Sequence, residues 1–384
     1  MGKYERNNKM HSVLRVLLTL VLSAASLCAM AFGLRWGMLH VGVPGTTTQS
    51  EAASLAMMDR YDMYMTNVIS SALDGVLDIE KVYWLNDDDM IAPEPDQEKF
   101  GKTNDPATMQ AFLDEAAELL DGQQTLFTTE TELFEGSEVT YYLDETIMCI
   151  TWKQVMHNAI YTISEVKIAH PSQLRRFVAD GVYGSDKQYR TTEMAATVNA
   201  VTASSGDFYK FRPYGISVYN REIYRYDSRV DTCFITDSGE MLFVRAGELS
   251  GKENIEAYVE ENNVRFSLAF GPVLVENYEV VPTYSYPVGE IDNHYPRAAI
   301  CYMGELHYLL VACNQEENLK NVATIQRLAE TMQSLGCEKA YALDGGQTAV
   351  IVTNDELINR PSYGYQRTLS DIVYFATAVP DGGQ

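Results

Sequence analysis

The feature of the sequence that most constrains the fold is a series of short apolar segments separated by turn residues, from about residue 124 onward. The segments VTYYLD, IMCITWK and AIYTISEVKI are rich in β-branched and aromatic residues, which favour strands. In CFITDSGEMLFV, Asp237-Ser238-Gly239 provides the turn residues of a hairpin. This pattern predicts a mixed α+β fold built on a largely antiparallel sheet, with helices packed against it.

Two further hairpins are predicted in GISVYNREIYRY and in AAICYMGELHYLLVAC, and helices are predicted between the strand segments. One helix begins at Asp105-Pro106, where a capping side chain precedes a proline in the first turn, and it extends to about Leu120. Three others are expected at 191–200, 253–261 and 322–335. The last of these has apolar residues along one face and Gly336 as its stop.

An uncharged apolar run at 16–34 follows an amino end with basic residues between Lys3 and Arg15. The run is close to the roughly 20 residues that cross a membrane as a helix, and the basic residues ahead of it predict a cytoplasmic amino end. We expect a cytoplasmic tail at 1–15, a transmembrane signal anchor at 16–34, a tether with a helical region at 35–122, and one domain at 123–384. Ala29-Met30-Ala31 also fits a cleavage site, so a secreted protein is the alternative.

The charge of the chain limits its partners. Asp and Glu number 53 against 29 Lys and Arg, for a net charge of −24. Such a surface repels nucleic acid, so nucleic-acid binding is not expected, and membrane contact is expected only through the amino-terminal helix. The acidic run at 87–89 lacks the alternating acids and central glycine of a calcium loop, and it is interpreted as a solvated loop.

The cysteines give no sign of a metal site. Beyond Cys28 the sequence has five, each alone in its segment and with no CxxC pair: Cys149, Cys233, Cys301, Cys313 and Cys337. Because their number is odd and their neighbours are apolar, we expect buried free thiols rather than disulfides. Neither a metal nor another cofactor is predicted.

The stretch LDGGQTA is the first candidate for chemistry. Gly345 and Gly346 permit positive φ and leave N–H groups uncovered, which can form an anion site. Asp344 before them is an acceptor or a catalytic acid, and Gln347 and Thr348 add neutral donors suited to sugar hydroxyls. A tight turn without chemistry is the alternative interpretation.

Two other stretches carry residues of the same kind. Arg297, in YPRAAI, is suited to bind two oxygens of one phosphate, with a surface ion pair as the alternative. The stretch ASSGDFY places Ser205, Gly206 and Asp207 ahead of aromatic residues that could pack a sugar ring or fill the core. A serine nucleophile here would lack the GxSxG elbow.

Taken in order, the stretches ASSGDFY, GISVYNREIYR, LAFGPVLVEN, YPRAAICYMGELHYLLV, LAETMQSLGCEKAYALDGGQTA and RPSYGYQRTLSDIVYF resemble the phosphodiester glycosidase family. The resemblance extends over about 160–378, so it implies that 123–384 is a phosphodiester glycosidase-like domain. The chain departs from the family pattern at Ser205, where asparagine is typical, and at Gln347, where glycine is typical.

The resemblance implies cleavage of a sugar from a phosphodiester, for which the site needs an acid and an anion clamp. The catalytic candidates are Asp344, Asp207, His294 and Glu165. The candidates for substrate binding are Arg297, Gly345, Gly346, Gln347, Thr348, Ser205, Gly206, Tyr209 and Arg367. Histidine is a common acid–base residue, which makes His294 a candidate, and Glu165 lies where relatives often carry an acid.

Three functions remain open at this point. The first is an exported bacterial hydrolase of sugar-1-phosphodiesters in envelope glycopolymers or exopolysaccharide, with that polymer as its partner. The second is a surface protein that binds polysaccharide without turnover, which the departures at Ser205 and Gln347 favour. The third is a scaffold of envelope polysaccharide biosynthesis, with the helices near 51–73 and 105–120 as partner surfaces.

Overall fold

The structure is a computed structural model that describes residues 91–120, 125–282, 286, 290–314 and 322–379. The predicted tail at 1–15, the anchor at 16–34 and most of the tether and helical region lie outside these residues. No helix in the described ranges is both long and apolar enough to span a membrane.

The described residues form four helices and nineteen strands, with antiparallel pairing in every sheet. The helices are α1 (Pro106–Leu119), α2 (Thr191–Thr197), α3 (Lys252–Glu261) and α4 (Ile325–Ser334). The strands are β1 (Phe100–Thr103), β2 (Val139–Leu143), β3 (Ile147–Met156), β4 (Ala159–Ile168), β5 (Leu174–Val178), β6 (Thr202–Ser205), β7 (Ile216–Tyr219), β8 (Glu222–Tyr226), β9 (Thr232–Thr236), β10 (Met241–Val244), β11 (Val264–Leu268), β12 (Val273–Glu276), β13 (Glu279–Val280), β14 (Arg297–Gly304), β15 (His307–Asn314), β16 (Lys339–Leu343), β17 (Ile351–Thr353), β18 (Glu356–Leu357) and β19 (Asp371–Phe375).

Two sheets position the site. The large sheet has nine strands in the order β1-β2-β3-β4-β15-β14-β16-β12-β13, and the small sheet has five in the order β18-β17-β6-β19-β5. Two shorter sheets complete the fold, one of β10-β9-β11 and one of β7-β8. The three hairpins expected from the sequence form as β7–β8, β9–β10 and β14–β15.

The core has a layered arrangement because alternate side chains of each strand point to opposite faces. One face of the large sheet packs against α1 and α4, with Trp152 and Ile163 among its buried residues. The opposite face packs against the small sheet and β9–β11, through residues such as Ile300 and Phe375. The outer face of the small sheet is covered by α2.

Hydroxyl groups also join the two sheets inside this core. Ser164 Oγ of the large sheet lies 2.9 Å from Thr151 Oγ1 and 3.1 Å from Thr202 Oγ1 of the small sheet. Thr353 Oγ1 lies 3.2 Å from both threonine hydroxyls. Since buried hydroxyls are costly unless they are hydrogen-bonded, this cluster fixes how the sheets face each other.

Helix α1 begins at the capping residue that the sequence suggests, and α4 begins at a threonine cap that was not predicted. Asp105 accepts a hydrogen bond from Thr108 N at 2.8 Å, and Pro106 occupies the first turn of α1. Thr324 caps α4 by accepting from Arg327 N, and the buried stripe of α4 faces the large sheet. This helix is shorter than the expected 322–335.

The expected boundary at 122/123 does not separate two packed units in the described residues. β1 pairs with β2, and Met109, Phe112 and Ala116 of α1 are buried in the same core as the large sheet. All of these elements fall within the unit Glu80–Gln384. The segment from β1 through α1 therefore belongs structurally with the sheets that follow it.

Candidate active site

Asp344 lies where the two sheets meet. It follows the last residue of β16, and its main-chain N–H donates to Gly206 O at 3.1 Å. Its carbonyl accepts a hydrogen bond from Ser205 Oγ at 2.6 Å. Since Ser205 ends β6, these two bonds connect the end of a strand in the large sheet to the end of a strand in the small one.

The Asp344 carboxylate is buried and paired with an arginine. Arg367 Nη2 donates to Asp344 Oδ2 at 2.7 Å, and the arginine side chain is 39% exposed. Burial raises the pKa of Asp344 to about 6, although the Arg367 charge opposes this rise. The carboxyl group therefore changes its charge close to neutral pH, as a catalytic acid or base must.

A second cluster of charges lies on the small sheet beside Asp344. Arg176, in the middle of β5, donates from Nε to Asp371 Oδ2 at 2.8 Å. Its Nη2 lies 3.8 Å from Asp207 Oδ2. Asp371 Oδ2 also accepts from Asp207 N at 3.0 Å, while Asp207 Oδ2 accepts from Ala269 N at 2.9 Å. One buried guanidinium thus holds two buried carboxylates.

The balance of charge in this cluster affects proton binding. Burial raises the pKa of Asp371 to about 7; Arg176 opposes this rise and the negative charge of Asp207 contributes to it. Asp371 can therefore keep a proton near neutral pH.

Two glycines allow the close approaches at the site. A Cβ built on Gly206 would lie 2.5 Å from Asp371 Oδ2 and 3.1 Å from the Asp371 carbonyl oxygen, so a side chain there would displace the acid. Gly346 has a φ of 69°, in the left-handed region that favours glycine, and its N–H donates to Pro296 O at 2.8 Å. Thr348 Oγ1 donates to Gly345 O at 2.8 Å and closes the same turn.

Several buried polar atoms at the site have no hydrogen-bond partner among the described residues. They are Asp207 Oδ1, Asp371 Oδ1, Arg176 Nη2, Arg367 Nε and Gln347 Nε2. Buried polar groups are normally hydrogen-bonded, and a group of orphans in one place indicates a bound polar molecule or water. The acceptors and donors present here suit a substrate that carries both hydroxyls and an anionic group.

Arg297 is not part of this cluster. Its Nη2 donates to the main-chain carbonyls of Glu290 at 2.7 Å and Asn293 at 2.8 Å, and its Nε donates to Ala323 O at 3.2 Å. Because its guanidinium is engaged by main-chain carbonyls, the structure does not support the prediction that Arg297 binds the phosphate. Arg297 instead holds the loop before β14, and the adjacent Pro296 carbonyl receives the N–H of Gly346.

Glu165 lies on the wrong face of the large sheet for catalysis beside Asp344. It shares its face with Ile163 and Tyr161, which pack toward α4, whereas Ser164 faces the small sheet. Its carboxylate accepts from Leu126 N at 2.6 Å and Phe127 N at 2.9 Å, and lies 2.8 Å from His307 Nε2. Its role is to fix the segment before β2, and the catalytic assignment is corrected.

Two other candidates also lie in different settings from those expected. His294 is exposed in the loop before β14. Tyr209 is buried, with its ring stacked on Tyr183 at 4.5 Å and 5.4 Å from Arg176 Cζ, and burial raises its pKa to about 12. Tyr209 therefore packs between Tyr183 and Arg176, and its ring has no open face on which a sugar could pack.

Two residues of the site were missed in the sequence, Arg176 and Asp371. Each lies inside an apolar strand segment, LRRFV for the arginine and LSDIVYF for the aspartate. Charged residues are rarely buried unless they are paired, so opposite charges within two such segments are the signal that could have identified them. In the described ranges no group of three or more His, Cys, Asp or Glu is arranged to hold a metal.

Comparison with known proteins identifies one family. Residues 195–376 match the sequence model of the family described as phosphodiester glycosidase, a range that includes Asp207, Asp344, Arg367 and Asp371. No curated protein matches the chain by sequence.

Several solved structures resemble the chain in fold. A hypothetical protein from Synechocystis is 14% identical with a TM-score of 0.49, and the match covers 62% of this chain and 64% of that one. The chain thus spans less than two thirds of that protein's length. The zebrafish N-acetylglucosamine-1-phosphodiester alpha-N-acetylglucosaminidase catalytic domain, auto-inhibited by its pro-peptide, is 14% identical with a TM-score of 0.48. That match covers 76% of this chain and 99% of the zebrafish domain.

Proposed function

We propose, from the match of residues 195–376 to the phosphodiester glycosidase family model, that this chain hydrolyses sugar-1-phosphodiester linkages in exported envelope glycopolymers. The observation that carries the proposal is the buried Asp344 carboxylate paired with the partly exposed Arg367 guanidinium. A carboxylate and a guanidinium side by side are what cleavage beside a phosphate requires.

The reaction breaks the bond between the anomeric carbon and the phosphate oxygen, and the electron pair leaves with the oxygen. The product phosphate monoester has a second pKa of about 6, so this leaving group needs less protonation than an alcohol does. Stabilising the departing charge matters more, and we assign this role to Arg367, which donates to Asp344, with the Gln347 amide as a second candidate donor. Water supplies the hydroxyl group that the sugar gains.

Asp344 is the group that acts on the sugar in this proposal. Above about pH 6 its carboxylate is ionised, since its pKa is raised to about 6. It then either attacks the anomeric carbon or removes a proton from the attacking water. The Arg176–Asp207–Asp371 cluster positions the Gly206 carbonyl that holds the main chain of Asp344.

The test is release of reducing sugar from an N-acetylglucosaminyl phosphodiester by the purified protein. Wild type should release sugar, and Asp344→Asn and Arg367→Ala should each lose at least about a hundredfold in kcat/KM, the scale for removing one charge-stabilising group. Asp292→Asn, on the exposed loop before β14, is the control for general effects of a lost aspartate. Equal turnover in wild type and both site variants would remove the assignment.

Polysaccharide binding without turnover is the second candidate function. The observation that favours it is Gln347, whose side chain occupies the turn where the family pattern has glycine. Retention of a phosphoglycan by wild type, with no sugar released, would support binding. If Gln347→Gly then released sugar, the glutamine would be the cause of the lost turnover.

The exported location belongs to the same proposal. Its support is the basic amino end followed by the apolar run at 16–34, together with the acidic surface. A protease added to intact cells should remove the carboxyl-terminal epitope of the full-length chain but leave a cytoplasmic marker intact. Protection of the epitope until the cells are lysed would place the domain inside the cell and contradict the proposal.

A further inference from the structure

Two phenylalanines, Phe208 and Phe211, follow Asp207 closely in the sequence and pack against each other. Phe208 and Phe211 are stacked with their centroids 4.7 Å apart and an interplanar angle of 26°, and Phe211 is 47% exposed. The turn that pairs them is closed by hydrogen bonds from Phe211 N and Arg212 N to Phe208 O, both 3.1 Å. Arg212 Nη2 fixes the turn by donating to Ala269 O and Phe270 O.

This aromatic pair is connected to the acid of the site. Arg367, which donates to Asp344, also places its Cζ 5.2 Å from the centroid of the Phe208 ring. The guanidinium thus lies between the carboxylate and the aromatic pair. Phe211 is therefore linked to Asp344 through Phe208 and Arg367.

Two more exposed rings precede Arg367. Tyr363 is 87% exposed and Tyr365 is 63% exposed. The short turn Ser362–Gly364 that carries Tyr363 packs against the turn Gly346–Thr348 of the site. Aromatic side chains therefore border the double-glycine turn as well as the loop after β6.

The backbone of Tyr363 adds a separate observation. Its φ is 60°, in the left-handed region, which is unfavourable for a bulky residue. Tyr278 has a similar φ of 65°, but it lies in the two-residue turn of the β12–β13 hairpin, where positive φ is required. At Tyr363 the positive φ belongs to a tight turn in which Gly364 N donates to Pro361 O at 3.0 Å, and this turn presents an almost fully exposed ring beside the turn Gly346–Thr348.

We propose that Phe211, Tyr363 and Tyr365 form an aromatic rim, with Phe208 supporting Phe211 from within, and that this rim stacks against sugar rings on either side of the cleaved linkage, so that the substrate is a glycan chain rather than a small phosphodiester. This inference rests on the proposed hydrolase function. Sugar rings present C–H faces that pack on exposed aromatic faces while their hydroxyls remain in water. Rings contributed by two separate loops provide more than one such position, which a single sugar would not need.

The test compares two substrates with the same scissile bond. One is the methyl phosphodiester of N-acetylglucosamine, and the other is a poly(N-acetylglucosaminyl 1-phosphate) chain. In Phe211→Ala and in Tyr363→Gly, the ratio of kcat/KM for the polymer to kcat/KM for the methyl diester should fall at least about fivefold, the scale of one lost stacking contact. Tyr278→Gly is the matched control, since Tyr278 is also exposed and also has positive φ, and its ratio should stay at the wild-type value.

The outcomes separate this proposal from the one it rests on. Cleavage of both substrates with an unchanged ratio in Phe211→Ala and Tyr363→Gly would overturn the aromatic rim and leave the hydrolase function in place, as would an equal fall in Tyr278→Gly. Cleavage of neither substrate would count against the hydrolase function. In that case the aromatic rim is tested by binding, measured as slower migration of the protein in gels that contain the polymer. Wild-type retardation that is lost in both rim variants supports it, and absence of wild-type retardation overturns it.

Discussion

Replacement of Asp344 by asparagine should change stability in a way that depends on pH. Burial raises the pKa of Asp344 to about 6 in the folded protein, from an ordinary value of 3.8. Because the folded value is the higher one, the contribution of this group to stability is complete below the unfolded pKa and is lost as pH rises through about 6. Asparagine cannot ionise, so Asp344→Asn does not lose this contribution to stability as the pH rises.

The size of the effect follows from the two pKa values. At 1.36 kcal/mol per pKa unit, ionisation of Asp344 lowers the free energy of unfolding by about 3 kcal/mol at about pH 7.5 and by about 1 kcal/mol at about pH 4.5. The free energy of unfolding of Asp344→Asn minus that of wild type should therefore increase by about 2 kcal/mol from the lower to the higher pH. Any loss of hydrogen bonding that does not depend on pH cancels in this comparison.

Urea unfolding at the two pH values measures this difference, with the fluorescence of the buried Trp152 as a reporter. Asp292→Asn, on the exposed loop, reports the change caused by replacing an aspartate outside the site. A difference between Asp344→Asn and wild type that is the same at both pH values would refute the reasoning. It would mean that the Asp344 carboxyl group titrates alike in the folded and unfolded chains.

Three further predictions concern buried charges and the loop before β14. Asp371→Asn leaves Arg176 buried without its nearest acid and should lower the free energy of unfolding by about 3 kcal/mol, measured by urea titration; a loss below about 1 kcal/mol would contradict the buried pair. Glu165→Gln should lower stability by about 1–3 kcal/mol but leave kcat/KM within about twofold, and a large fall in turnover would restore its catalytic role. Arg297→Ala should speed proteolytic cleavage within 290–296, as followed by mass spectrometry, because three carbonyls lose their donor; wild-type cleavage rates would show that the loop is held by other contacts.

The sheet architecture was predictable because the turn residues are local. Each hairpin is specified by the few residues between its strands, so β7–β8, β9–β10 and β14–β15 could be placed from the sequence. The order of strands in a nine-stranded sheet depends on packing between segments far apart in the chain. No local pattern carries that information, and the same is true of the split into a large and a small sheet.

The site was predictable only in part for a related reason. Asp344, Gly206 and Asp207 come together as the motifs suggested, because turns at strand ends meet at one place. Arg297 could not be placed, since the direction of its side chain depends on carbonyls of its own loop. Asp371 was overlooked because its segment looks like an ordinary apolar strand.

The main-chain bonds between the end of β16 and the end of β6 have a wider consequence. Asp344 is anchored to one sheet and Asp207 and Asp371 to the other, so the geometry of the proposed site depends on how the two sheets pack against each other. A sliding motion of well under one strand spacing would misalign the acids while every strand stayed paired. Substitutions in the buried hydroxyl cluster of Thr151, Ser164, Thr202 and Thr353 should therefore change turnover. Activity should also disappear at lower urea concentrations than those that expose Trp152 to water.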